Sequence, residues 1–232
     1  MQPQELLTSM TFNIISTGSQ GNAVVINDIL LIDCGVPYKA LAPHTKGLRL
    51  VLLTHEHGDH FNPATARRLH QERPALRFGC CGWMVQHLVD AGVAARVIDV
   101  YNPQNQAYLS YGSSLSLRPE PLTHNVPNCG YHLQMNGERI FYATDTGTLD
   151  GIIAKGYDLY MVEANHTQAD IAERVAKKQA EGKFAYEIQA AENHLSKEQA
   201  EDWLYQNMGP CSRYVFLHGH TDKEKGQTNH AE

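Results

Sequence analysis

Four apolar residues at positions 50–53, with no helical period, read as a buried strand. Similar short runs at 12–15, 23–26, 29–32, 76–78, 97–100, 111–117, 131–135, 139–143, 157–162 and 215–217 read as further strands. Asn27-Asp28 separates one pair of them and Asn136-Gly137 another; the second is the strongest short hairpin signal in the chain. Apolar residues three and four apart predict helices over 63–71, 82–91, 167–182 and 197–208. Ser196 is placed to cap the last of these, with Gln199 where a capping box needs it. Strand and helix alternate, as an α/β fold requires. No repeat and no Ser/Gly/Pro-rich linker interrupts the chain, so a single domain over 1–232 is expected, with a polar tail from about 221.

The turn after the strand at 50–53 carries candidate chemistry. His55, His57, Asp59 and His60 fall there within six positions. Imidazole nitrogen is the commonest zinc donor and carboxylate oxygen can join it, so four donors this close exceed what one tetrahedral ion takes from one loop. Two ions fit better. The alternative HExxH helix motif would need His at position 59, which is Asp59. Gly58 and Pro63 also favour a loop running into a helix.

Other candidates lie at the ends of predicted strands. Asp33 comes directly after 29–32 and is read as an acceptor orienting the histidine loop, the part carboxylates play behind metal-bound His. Asp145 comes after 139–143 and Glu163 after 157–162; ligands in α/β sheets gather at the carboxyl ends of strands. His124 stands between Pro121 and Pro127, so a stiff extended loop over 120–131 is expected to present it. His194 lies just outside the helix at 197–208, where helix-end packing explains it as well as chemistry does, and His218 comes after the last strand. The small residues at 16–22 form a tight turn; Ser19 and Asn22 there, with His166, are candidate phosphate contacts, although an ordinary turn has the same composition.

Composition narrows the setting. Thirteen His stand against 19 Lys plus Arg, an excess that suits metal ligation. The net charge of -6 speaks against broad charge-driven nucleic-acid binding, though ions in a site can supply positive charge locally. The one basic concentration, Arg174, Lys177, Lys178 and Lys183, suits either a solvated helix face or a nucleic-acid contact. Five cysteines without CxxC spacing suggest neither a disulfide framework nor a structural zinc ribbon. With no signal-peptide pattern and no membrane-length apolar run, a cytoplasmic protein with no membrane partner is expected.

Taken together, these residues resemble the metallo-β-lactamase superfamily. Its HxHxDH signature is matched by His55, His57, Asp59 and His60, and Asp33, His124, Asp145 and His218 stand in the expected order. Thr17-Gly18-Ser19-Gln20-Gly21-Asn22, the ATDTG around Asp145, Glu163-Ala164-Asn165-His166 and His194-Leu195-Ser196 are similar to the phosphodiesterase branch, the tRNase Z-like and WalJ/YycJ-type nucleases. The resemblance implies a four-layer αββα sandwich with metals at one edge of two sheets. It also implies two divalent ions: one on His55, His57 and His124, the other on Asp59, His60 and His218, with Asp145 bridging. Zinc is favoured, with manganese or iron also compatible with a mixed N/O site. Asp59, Glu163 and His194 are then the expected catalytic residues. The branch commonly reads HLS or HFS where this chain has His218-Gly219-His220; His218 is taken as the ligand because it is the residue directly after the strand. The implied activity is hydrolysis of a phosphodiester, in nucleic acid or a smaller molecule, by a hydroxide shared between two ions. Alternatives are a thioester, lactone or cyclic-nucleotide hydrolase on the same scaffold, or a non-catalytic metal-binding protein.

Overall fold

In the computed structural model, which describes residues 10–183 and 191–219, twelve strands form two six-stranded mixed sheets. The first sheet runs in sequence order: β1 (Phe12–Ser16), β2 (Ala23–Ile26), β3 (Leu30–Ile32), β4 (Leu50–Leu53), β5 (Arg77–Cys81) and β6 (Ile98–Tyr101). β1 to β3 are antiparallel, and β3 to β6 are parallel. The second sheet contains β7 (Leu109–Tyr111), β8 (Leu115–Leu122), β9 (Asn128–Met135), β10 (Glu138–Ala143), β11 (Leu159–Glu163) and β12 (Arg213–Leu217). There β7 to β10 are antiparallel, and β10 to β12 are parallel.

The unbroken apolar runs are explained by burial on both faces. Leu50 and Leu52 of β4 point between the sheets, where they join Tyr131, Leu133, Tyr142 and Met161. Val51 and Leu53 point outward, under helices α1 (Tyr38–Leu41), α2 (Pro63–Glu72) and α3 (Val85–Asp90). On the far side, Phe141, Tyr160 and Val162 pack against Trp203 and Leu204 of helix α5 (Lys197–Asn207), while α4 (Gln168–Ala180) buries no residue. These are the four αββα layers. Each fully buried Leu, Val or Phe contributes about 1.5–3 kcal/mol. Among the described residues no helix is long and apolar enough to cross a membrane.

Local chemistry ends the elements where the sequence indicates. The Asn27-Asp28 and Asn136-Gly137 turns adopt positive φ throughout, which lets two residues join strands of right-handed twist. Ser196 and Gln199 form the capping box of α5. Three expectations need correction. The strand expected at 111–117 is two strands, because Gly112, at φ +69°, turns the chain between β7 and β8. The helix expected at 82–91 opens with a 3-10 turn at Gly82–Met84, and α3 itself covers six residues. The extended loop expected at 120–131 shrinks to 123–127, since Pro119 and Pro121 lie inside β8. They are tolerated because β7 pairs with β8 only as far as Leu117, so beyond it that side of β8 is an open edge that needs no N–H. His220 and the tail lie outside the described residues.

Candidate metal centre

β1, β3, β4, β8, β10, β11 and β12 all run toward one edge of the sandwich, and the loops leaving them build the site. Three residues at these ends, Asp33, Asp145 and His218, have left-handed backbones at φ +60°, +58° and +53°. Such a turn costs a non-glycine residue energy, and residues held this way cluster at functional sites.

The loop after β4 is braced from behind. Asp33, wholly buried, accepts from the Thr54 N–H at 3.0 Å and from the Thr54 hydroxyl, and lies 2.7 Å from His60 Nδ1. Burial pushes the Asp33 carboxyl up, against the pull of His60, and the 2.7 Å contact occupies His60 Nδ1 and leaves Nε2 facing the cleft. Thr54 Oγ1 also meets His55 Nδ1 at 2.9 Å, which turns His55 Nε2 inward. Close approach of backbones completes the brace: a Cβ on Gly35 would lie 1.8 Å from the Asp59 carbonyl.

His55, His57 and His124 converge. His55 Nε2 lies 3.2 Å from His57 Nδ1, which lies 3.4 Å from His124 Nε2. His124 Nδ1 donates to the Asn193 carbonyl at 3.1 Å, again freeing the inner nitrogen. Tetrahedral zinc with Zn–N of about 2.0–2.1 Å needs donors about 3.4 Å apart, so this spacing fits. Burial, aided by His60, lowers His55 to about 2, and burial also lowers His124, so both offer lone pairs.

The second cluster carries charge. His218 Nε2 lies 3.5 Å from Asp59 Oδ2 and 3.4 Å from Asp145 Oδ1, and His60 Nε2 lies 2.8 Å from Asp145 Oδ2. Burial works against protonation of His218, but Asp59, Glu163 and Asp145 outweigh it and hold its pKa at about 10. For His60 likewise, Asp145 and Asp33 overcome burial and raise it. Asp145 goes the opposite way: burial is outweighed by His60 and His218, which hold its carboxyl far below the usual range. Asp145 Oδ2 is buried yet accepts no well-aligned hydrogen bond, even with His60 Nε2 so close. A buried carboxylate oxygen without a well-aligned partner, beside ring nitrogens, suits a cation here. Asp145 is also grouped with His55 and His60, and so stands between the two clusters. The residues of both clusters could hold divalent metal.

Beside these clusters, His194 Nδ1 donates to Glu163 Oε1 at 2.5 Å, and its ring stacks on His218 with centroids 5.2 Å apart. Glu163 is wholly buried; its other oxygen accepts from the Thr146 N–H at 2.9 Å, and Oε1 is 3.4 Å from His218 Nδ1. Of the two carboxylates expected to be catalytic, Asp59 and Glu163, Glu163 is the one hydrogen-bonded to His194.

The candidate phosphate contacts part company. Ser19 is exposed on its turn. His166 is half-buried, with Nδ1 buried and unpaired, and burial lowers its pKa. Asn22 corrects the expectation: it is 2% exposed, and its amide is committed to Gly18, Asp59 and His60 inside the protein. Sequence reasoning missed Thr54 and Thr17, whose Oγ1 accepts from the His218 N–H at 2.6 Å. It also gave no part to Asn165, whose amide donates to the His218 carbonyl at 3.0 Å. Thr54 carries a signal, standing between strand and histidine cluster; Thr17 and Asn165 act across the fold and carry none.

A family model described as "Beta-lactamase superfamily domain" matches residues 29–218, a span that contains both clusters and Asp145. The metallo-beta-lactamase fold protein YhfI from Bacillus subtilis superposes with a TM-score of 0.67 at 16% identity, over 92% of this chain and 88% of that one. Human tRNase Z, short form, gives 0.63 at 16% identity over 90% and 92%. A diphosphatase of the PhnP family gives 0.62 at 12% identity over 90% and 87%. No curated protein matches the sequence.

Proposed function

Because the chain belongs to the beta-lactamase superfamily, whose metal-dependent members include hydrolases, we propose that it is a phosphodiesterase of the nuclease type, working with two divalent ions, zinc for preference. The observation that carries this reading is the Glu163–His194 contact at 2.5 Å, beside Asp145 and His218. Phosphodiester cleavage expels an alkoxide that needs a proton, and a histidine held at Nδ1 by a buried carboxylate keeps Nε2 for that transfer. Two proteins of the same fold, named as a tRNase and a diphosphatase, support a phosphoryl substrate.

His55, His57 and His124 would hold one ion, Asp59, His60 and His218 the other, with Asp145 between. Bound there, the ions would supply Lewis acidity, activating water and neutralising phosphoryl oxygens. The protein's own part is positional. Asp33 and Thr54 fix the tautomers of His60 and His55, the Asn193 carbonyl fixes that of His124, and Glu163 aims His194. His166 and Ser19 are left as contacts for the phosphate. Zinc-loaded protein is expected to cleave bis(p-nitrophenyl) phosphate and short oligonucleotides. Rapid thioester hydrolysis with neither phosphodiester cleaved would overturn the assignment.

A further inference from the structure

We infer that Asn22 is a positioning residue for one half of the metal centre, the Asp59–His60–His218 half, and not for the other. This rests on the proposed pair of ions but not on the identity of the substrate. Asn22 is held by its backbone, with its N–H donating to the Asp59 carbonyl at 2.6 Å and its carbonyl accepting from Gly35 N–H at 3.0 Å. Its Oδ1 accepts from the Gly18 N–H at 2.9 Å, which fixes the amide orientation and turns the Nδ2 hydrogens toward the histidine loop. There Nδ2 donates to the Gly18 carbonyl at 3.1 Å and the Asp59 carbonyl at 3.2 Å, and lies 3.4 Å from Asp59 Oδ2 and 2.8 Å from His60 Nε2.

Asp33 takes the Nδ1 side of His60, and the Asn22 amide nitrogen sits 2.8 Å from Nε2 on the other side of the ring. One amide therefore touches two donor residues of the second cluster, Asp59 and His60. None of its hydrogen bonds goes to His55, His57 or His124. The backbone beside it is held as closely: a Cβ on Gly21 would lie 2.7 Å from the Gly35 carbonyl. The amide keeps Asp59 and His60 in register. Residues that orient metal ligands in this way typically change metal affinity by about 10–100-fold when removed.

The test is a zinc titration of the chelator-stripped full-length chain, read by competition with a chromophoric chelator, with circular dichroism and thermal melting alongside. The wild type is expected to bind two zinc ions. Asn22→Ala should hold the first within about threefold and the second roughly 10–100-fold more weakly. Asn22→Ser, which keeps a donor and fills more of the space, should fall between. Two ions in the wild type, with both held unchanged in the variants or both lost together with the melt, overturns the inference alone. A wild-type chain that takes up a single ion overturns the two-ion reading and the inference with it.

Discussion

Asp33 and Asp145 occupy matching places in the two sheets and do opposite work. Each ends a strand that runs parallel to the next, each has a left-handed backbone, and each is buried. Asp33 spends its oxygens on the Thr54 N–H, the Thr54 hydroxyl and His60 Nδ1. Asp145 keeps an oxygen without a well-aligned partner and stands among His60, His218 and His194. The difference comes from how each sheet delivers its donors. In the first, four donors ride on one loop that lies outside the hydrogen-bonded ladder, so something must brace it. In the second, Asp145, Glu163 and His218 leave separate strand ends and inherit their positions from the ladder, so the carboxylate there is free to face a cation.

The comparison breaks most visibly at Asp145. Asp145→Asn retains a side chain that tolerates a left-handed backbone but removes the charge between the clusters. Phosphodiesterase activity should drop to background while the circular dichroism spectrum is unchanged; appreciable turnover would mean that the residue does not link the two halves. His194→Ala should be next in size, about 10²–10⁴-fold in kcat on an oligonucleotide, the usual share of a general acid. On bis(p-nitrophenyl) phosphate, whose leaving group needs little protonation, the loss should be far smaller. Equal losses on both substrates would remove the proton-donor role.

Asp33→Asn tests the bracing side and should cost less. Thr54 can still donate to the remaining oxygen, but the amide no longer pins the proton on His60 Nδ1. Zinc affinity of the Asp59–His60–His218 half is expected to fall roughly 10–100-fold, the range for orienting partners. An effect as large as that of Asp145→Asn would place Asp33 among the ligands instead of behind them.

How much of this was legible depends on whether the physics was local. The histidine loop after β4 could be read because strand, turn and donors are contiguous, and the hairpins because Asn-Gly and Asn-Asp impose their own backbone. The apolar runs at 23–26, 29–32 and 50–53 announced strands buried on both faces. The roles of Asn22, Thr17 and Asn165 were hidden, since each acts through contacts to residues 37, 201 and 53 positions away. The split at Gly112 was hidden too, because a turn inside an otherwise β-prone run looks like a single strand. Pro121 misled for a related reason: its cost depends on whether a neighbouring strand needs its N–H, which only the sheet order decides.

The smallest expected effect separates the turn's two polar candidates. Ser19 is exposed, and Asn22, three residues on, is nearly inaccessible and bonded to the metal loop. As a proposed phosphate contact, Ser19 contributes one hydrogen bond to the substrate. A neutral hydrogen bond exchanged with water is worth about 0.5–1.5 kcal/mol, or roughly two- to twelvefold in affinity. Ser19→Ala should therefore raise KM within that range and leave kcat, zinc stoichiometry and melting temperature as they are. A change in zinc binding would show that the turn braces the loop through both residues, and the contrast between a bracing Asn22 and a substrate-facing Ser19 would not stand.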